Sequence, residues 1–142
     1  MNHNPEFYTL KGYQRNKKDQ LSSAMEDYLE MICRMLQKID VVRIKDLAEN
    51  LHVQPSSASK MITNLKNAGY VNFEKYGYVE ITEKGMDAGR YLLHRHEVLH
   101  QFLCALNQSD NELEQVEKIE HFINKKTIDN LEKITPKLNE LR

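Results

Sequence analysis

A double change of hydrophobic period constrains this chain more than any other feature. Up to Ala68 apolar residues recur at helical spacing in three short runs, between Tyr70 and Thr82 the period falls to two, and from Thr82 it returns to helical. Ser23-Ala-Met-Glu26 reads as a capping box, and Tyr28, Ile32, Met35 and Ile39 follow at helical spacing, predicting a helix over about 25–38. A second helix carries Ile44, Leu47, Ala48 and Leu51 on its inner stripe. The third opens at Gln54-Pro55, where proline's missing N–H costs nothing, buries Met61, Ile62 and Leu65, and stops at Gly69 in a left-handed conformation. Tyr70-Val-Asn-Phe-Glu74 and Tyr78-Val-Glu-Ile-Thr82, joined by Lys75-Tyr76-Gly77, predict a hairpin. Three helices and a hairpin within about 60 residues make a winged helix-turn-helix.

Thr82 is placed to cap a long helix reaching about Leu106 and carrying Met86, Leu92, Leu93, Leu99, Phe102 and Leu103. Two more helices are expected over about 111–123 and 125–134, with Pro136 ending the pattern. The fold class is therefore mainly α. An N-terminal extension (1–21) precedes the winged helix-turn-helix with its small β-hairpin wing (22–83), and an all-α unit follows (84–142).

Apolar residues at 40% and charged residues at 29% suit a packed soluble domain and exclude a disordered chain. No apolar run approaches the roughly 18 residues a bilayer span needs, and Met1–Gln20 lacks the apolar core of a signal peptide, so a cytoplasmic protein without membrane partners is expected. Cys33 and Cys104 stand 71 residues apart in apolar helical contexts and read as buried free thiols, with a disulfide or a metal thiolate as the alternatives. The 20 basic and 21 acidic residues cancel to −1, yet residues 1–21 carry four basic groups against two acidic, and 109–122 carry five acidic groups against one Lys.

Small polar side chains at the front of the third helix suit a DNA major groove, because Ser donates or accepts while the backbone approaches closely. Gln54, Ser56, Ser57, Ser59 and Lys60 are the candidate contacts, Lys60 to phosphate, with Lys75 and Tyr76 of the hairpin tip against the neighbouring backbone or minor groove. The same serines also suit a helix cap and the lysines a solvated face. Arg15, Lys17 and Lys18 of the extension are candidates for weak phosphate contacts.

The later half points to different chemistry. In Val116-Glu-Lys-Ile-Glu-His121, helical spacing puts Glu117, Glu120 and His121 on one face beside Leu113 and Val116. Asp27 and Glu30 form an i, i+3 pair on the first helix, and His94, His96 and His100 lie on the long one. Four gathered carboxylates repel one another, whereas two divalent cations would bring the compensating charge. Each pair taken singly also fits a solvated helix face, and His96 with His100 at i, i+4 also fits a surface zinc clip.

Met25-Glu-Asp-Tyr-Leu-Glu30, Val53-Gln-Pro-Ser-Ser-Ala-Ser-Lys-Met61, His94-Arg-His-Glu97 and Val116-Glu-Lys-Ile-Glu-His121 together resemble the diphtheria-toxin-repressor family of metalloregulators over about 22–134, most nearly its manganese-responsive branch. The resemblance implies a homodimer, not an enzyme, whose all-α unit binds metal and dimerises. It implies two Mn(II) ions per subunit and binding to palindromic double-stranded operators that represses metal-uptake genes, with no small organic substrate. It implies ligands at Asp27, Glu30, His96, Glu117, Glu120 and His121, with Glu30 and Glu120 bridging, Asp27 and His96 on one ion, and Glu117 and His121 on the other. Iron-responsive relatives place Met and Cys where Asp27 and Glu117 stand, so this all-oxygen and imidazole set favours Mn(II), with Fe(II) or Zn(II) as substitutes. The resemblance also implies that the SH3-like C-terminal domain of longer relatives is missing. Alternatives are an iron-responsive repressor of the same family, a winged-helix sensor of an organic ligand or of thiol oxidation, and a small di-metal carboxylate enzyme.

Overall fold

In the computed structural model, residues 9–10, 21–74 and 77–141 are described. The element order is α1 (Ser23–Leu36), α2 (Ile44–Leu51), α3 (Pro55–Asn67), β1 (Val71–Phe73), β2 (Val79–Ile81), α4 (Glu83–Asn107), α5 (Leu113–Ile119), a 3-10 turn (Glu120–Phe122) and α6 (Lys125–Glu140). The mainly α architecture with a two-stranded wing is as the change of period predicts. β1 and β2 pair antiparallel, Asn72 facing Glu80, and Val42 adds an isolated bridge to Val79.

Two apolar cores share α4. The first packs Leu29, Ile32, Leu47, Ala58, Ile62, Leu65, Val71 and Val79 against Leu92; the second joins Val98, Leu99 and Leu103 to Val116 and Ile128. Truncating a fully buried leucine such as Leu29 or Leu47 costs about 2–5 kcal/mol. Between Leu92 and Val98 the helix puts two polar residues inward, Arg95 and His96, which are buried at the seam between the cores.

Gly85 and Gly89 let α4 enter that position. A Cβ on Gly85 would collide with the Tyr70 carbonyl oxygen, and one on Gly89 with Cys33 Sγ of α1. Gly69 does adopt the left-handed conformation expected of it, at φ +87°. Cys33 is buried at the Gly89 crossing, while Cys104 is only half-buried and lies 3.6 Å from His100 Nε2; both are free thiols.

Three boundaries depart from the sequence reading. The cap of α1 is Ser22, whose hydroxyl accepts from Met25 N at 3.1 Å, so Ser23 is already helical and Glu26 is not a capping-box partner. The helix ends at Leu36, leaving Ile39 exposed beyond it. Pro136 does not stop α6, which continues to Glu140. Pro136 and Glu132 both lie on the exposed side of the helix, where a proline is accommodated more easily than against the core.

Candidate metal centre and nucleic-acid interface

The centre assembles at the seam from α1, α4 and the segment spanning α5 and the 3-10 turn. Asp27 and Glu30 project from α1, His96 from α4, Glu117 from α5, and Glu120 and His121 from the turn. The continuous helix expected over 111–123 instead tightens at Glu120, which turns that side chain fully inward at 0% exposure. His100, on the same helix as His96, faces elsewhere: its Nε2 accepts from Glu112 N at 3.2 Å at the start of α5. His94 meets Glu132 of α6 at 3.5 Å on the surface. The zinc clip pairing His96 with His100 therefore does not form in this arrangement.

The six singled-out residues fall into two groups of donor atoms. Glu30, His96, Glu117 and Glu120 form one, Asp27, Glu120 and His121 the other, and within each group the atoms lie within 4.8 Å of one another. His96 Nδ1 is 2.9 Å from Glu120 Oε2, 3.5 Å from Glu117 Oε1 and 3.9 Å from Glu30 Oε2. His121 Nε2 is 3.0 Å from Asp27 Oδ1. Glu120 is common to both groups. The partition differs from the one the resemblance implies, because His96 stands with Glu117 and Asp27 with His121.

Burial sets the electrostatics. Glu30 is pushed up to about 7, first by desolvation and then by Glu120; Glu117 is raised for the same two reasons. His121 is raised to about 10 by its hydrogen bonds to Asp27 and Glu26, and His96 is raised by its bond to Glu120. Glu30 Oε1 and Glu120 Oε1 are buried without a hydrogen-bond partner among the described residues. Two orphaned carboxylate oxygens at one seam are costly unless a cation completes them, and hard oxygen and imidazole donors fit a divalent ion.

Two further residues belong to this centre that sequence reasoning passed over. Arg95 is buried and grips Glu26 with both terminal nitrogens, at 3.2 and 3.3 Å. Glu26 Oε1 in turn holds His121 Nδ1 at 2.8 Å, leaving Nε2 turned toward Asp27. The available signal was Arg95 beside His96 on an apolar stripe, where an unpaired charge is not tolerated. Assigning Glu26 to a cap had removed its partner from view.

On the other half, Gln54, Ser56, Ser57 and Lys60 are exposed at the front of α3, and Ser59 is half-buried. None of the serines caps the helix, whose N-cap Gln54 makes no side-chain bond. Lys66 donates to the Phe73 carbonyl at 2.8 Å, which fastens α3 to the wing. Arg43 lies 5.1 Å from the centre of the Tyr78 ring. Lys75 and Tyr76 lie outside the described residues, as do Arg15, Lys17 and Lys18.

A winged helix-turn-helix whose first helix also supplies carboxylates to a buried acidic centre is the arrangement of a metal-dependent transcriptional regulator, not of an enzyme. Two family descriptions match: the iron dependent repressor N-terminal DNA binding domain over residues 20–79, and the iron dependent repressor metal binding and dimerisation domain over 82–140. The HTH-type transcriptional regulator MntR of Bacillus subtilis (strain 168) is 38% identical over 109 residues, 76% of this chain and 77% of that protein. The chain belongs to the iron-dependent repressor family and is a metal-dependent transcriptional repressor of its DtxR/MntR group. Among solved structures, the metal-dependent transcriptional regulator MtsR aligns with a TM-score of 0.71 and 27% identity over 79% of this chain and 53% of that one. A manganese-dependent transcriptional repressor in complex with manganese gives 0.70 and 27%, over 79% and 52%. The chain spans about half the length of these solved relatives. No helix among the described residues is long and apolar enough to cross a membrane.

Proposed function

We propose that the protein is a manganese-responsive repressor that works in the cytoplasm as a homodimer, holds two Mn(II) ions per subunit at Asp27, Glu30, His96, Glu117, Glu120 and His121, and then binds palindromic operators of metal-uptake genes. The observation that carries this reading is the convergence of those six residues on a seam where two buried carboxylate oxygens lack partners among the described residues. Two divalent ions supply positive charge to a cluster in which five carboxylates, counting Glu26, face two guanidiniums. The donor set contains no sulfur and suits a hard ion such as Mn(II); selectivity against later divalent metals, which bind such donors more tightly, then rests on coordination geometry and metal availability. Glu120, shared by both groups, is the residue suited to bridge; Glu30, with one oxygen orphaned, is the second.

The chain's own residues connect this centre to DNA. Asp27 and Glu30 sit on α1, inside the reading unit of 22–83, while His96, Glu117, Glu120 and His121 belong to the helical unit of 84–142. Fixing these side chains against one another fixes α1 on α4 and thereby the direction in which α3 presents Gln54, Ser56, Ser57, Ser59 and Lys60. In a dimer, two α3 helices must meet grooves one helical turn, about 34–36 Å, or a multiple of it apart. Restricting their orientation lowers the cost of reaching that geometry.

The test is operator binding by the purified protein titrated separately with Mn(II), Fe(II) and Zn(II), with Glu117→Ala and His121→Ala alongside. Binding driven by Mn(II) in the parent chain and abolished in both folded variants is the expected result. An unchanged metal response in both variants removes the site. Response to Fe(II) in preference to Mn(II) converts the reading to an iron-responsive repressor of the same family.

A further inference from the structure

Arg34 lies one turn after Glu30 on α1 and sends its guanidinium back over the centre. Its Nε and Nη2 are 3.3 and 3.2 Å from Glu30 Oε2, and its side chain remains 41% exposed while that of Glu30 is 9% exposed. An i, i+4 Glu to Arg pair is an ordinary helix stabiliser on a solvated face. Here the acceptor is a buried carboxylate in the four-residue donor group with His96, Glu117 and Glu120. The guanidinium therefore holds one of the two oxygens of a carboxylate that a cation at that group would use, and sets its positive charge beside the other.

We propose that Arg34 is a built-in competitor for the metal centre, a tethered cation that covers the Glu30 carboxylate in the metal-free protein and sets the free Mn(II) level at which the centre fills. The inference rests on the metal centre described under the proposed function and adds its affinity control. Arginine suits the role because it cannot lose its proton, so no change of pH within the physiological range disarms it. Its exposed outer edge gives it a way out: the side chain can swing into solvent without breaking a core contact, unlike Arg95, which is buried and held at both terminal nitrogens. Even displaced, it leaves a positive charge on the same helix turn as a ligand. Both effects weaken metal binding, and neither requires any other residue to move.

The experiment is Mn(II) uptake without DNA, followed by the loss of the free-ion electron paramagnetic resonance signal, for the parent chain, Arg34→Gln, Arg34→Lys and Lys45→Gln. Lys45, exposed on α2, controls for net charge. Arg34→Gln is expected to fill at roughly tenfold lower Mn(II), Arg34→Lys to fall between it and the parent, and Lys45→Gln to match the parent. Thermal unfolding supplies a second readout. Arg34→Gln should lower the midpoint of the metal-free protein, because its carboxylates lose a neighbouring cation, and should enlarge the rise that Mn(II) produces. Unchanged or weaker uptake by Arg34→Gln, or equal tightening by Lys45→Gln, overturns the inference while leaving the centre intact. A parent chain that takes up no Mn(II) overturns the centre, and this inference with it.

Discussion

Glu120 has no exposed surface, yet it carries a carboxylate with one oxygen on His96 and the other on none of the described residues. A group so placed is expensive in a metal-free protein, and two residues of the same seam hold protons more tightly than usual: Glu30 through burial and then Glu120, His121 through its hydrogen bonds to Asp27 and Glu26. His121, raised to about 10, is protonated at neutral pH, and Glu30, at about 7, is close to half so. Both bind protons more tightly folded than unfolded, so stability must fall as pH rises. Glu30 contributes that loss between about 4.5 and 7, and His121 between about 6.5 and 10. The metal-free protein should therefore show a falling unfolding midpoint from pH 5 to pH 9, which a thermal scan series checks. Metal ligation needs the deprotonated forms, so loading Mn(II) in weak buffer at pH 7 should acidify the solution, and affinity should rise with pH. A midpoint that climbs with pH, or loading without proton release, would contradict these assignments. Glu26 shows where sequence reading loses a residue: its spacing from Ser23 satisfied a capping rule, and only the tertiary approach of Arg95, 69 residues away, reveals its other partner. Glu26→Gln should weaken Mn(II) binding by about 10- to 100-fold, measured by the same uptake titration, because the amide keeps one acceptor oxygen where His121 and Arg95 share two charged ones, so the acceptor that orients the His121 ring is weakened.

At the scale of elements, α4 decides the architecture. Its glycines at 85 and 89 admit the Tyr70 carbonyl and Cys33, and its buried residues then serve one core, the seam and the other core in turn. Gly89→Ala should cost about 1–3 kcal/mol by denaturant unfolding, and Cys33→Ala in the same chain should restore part of it. Additive losses in the double variant would mean that the two residues do not share that contact. The periodicity of Leu92, Leu99 and Leu103 made the long helix legible in the sequence, and Tyr70 to Thr82 made the wing legible, because both are one-dimensional patterns. The tightening of the chain at Glu120 was not, since a 3-10 turn and an α-helix place i and i+3 residues similarly in a spacing argument. Nor was the continuation of α6 past Pro136, which depends on that residue lying on the exposed side of the helix. On α3 the exposed Lys60 makes a separate prediction. Lys60→Ala should weaken binding to all duplexes alike and reduce the slope of log affinity against log salt by about one, checked by fluorescence anisotropy over a salt series.

At the scale of the whole molecule, the net charge of −1 conceals an uneven distribution, with five acidic groups against one Lys in 109–122, the segment that supplies Glu117 and Glu120 to the seam. Two divalent ions per subunit would move the formal charge from −1 to about +3, before any proton release. That change would favour a polyanionic partner, in the same direction as the proposed fixing of α1 on α4. The joint presence of the four motifs in order made the centre legible as a set of residues, while its partition into two groups around Glu120 required the three-dimensional arrangement. If metal and DNA act through one equilibrium, their coupling is reciprocal. The most direct measurement is therefore the Mn(II) affinity of the dimer alone and in complex with a duplex that the Mn(II)-loaded protein has selected from a random pool. The duplex should tighten Mn(II) binding by the same factor by which Mn(II) tightens DNA binding; identical Mn(II) affinity with and without the duplex would contradict a coupled switch.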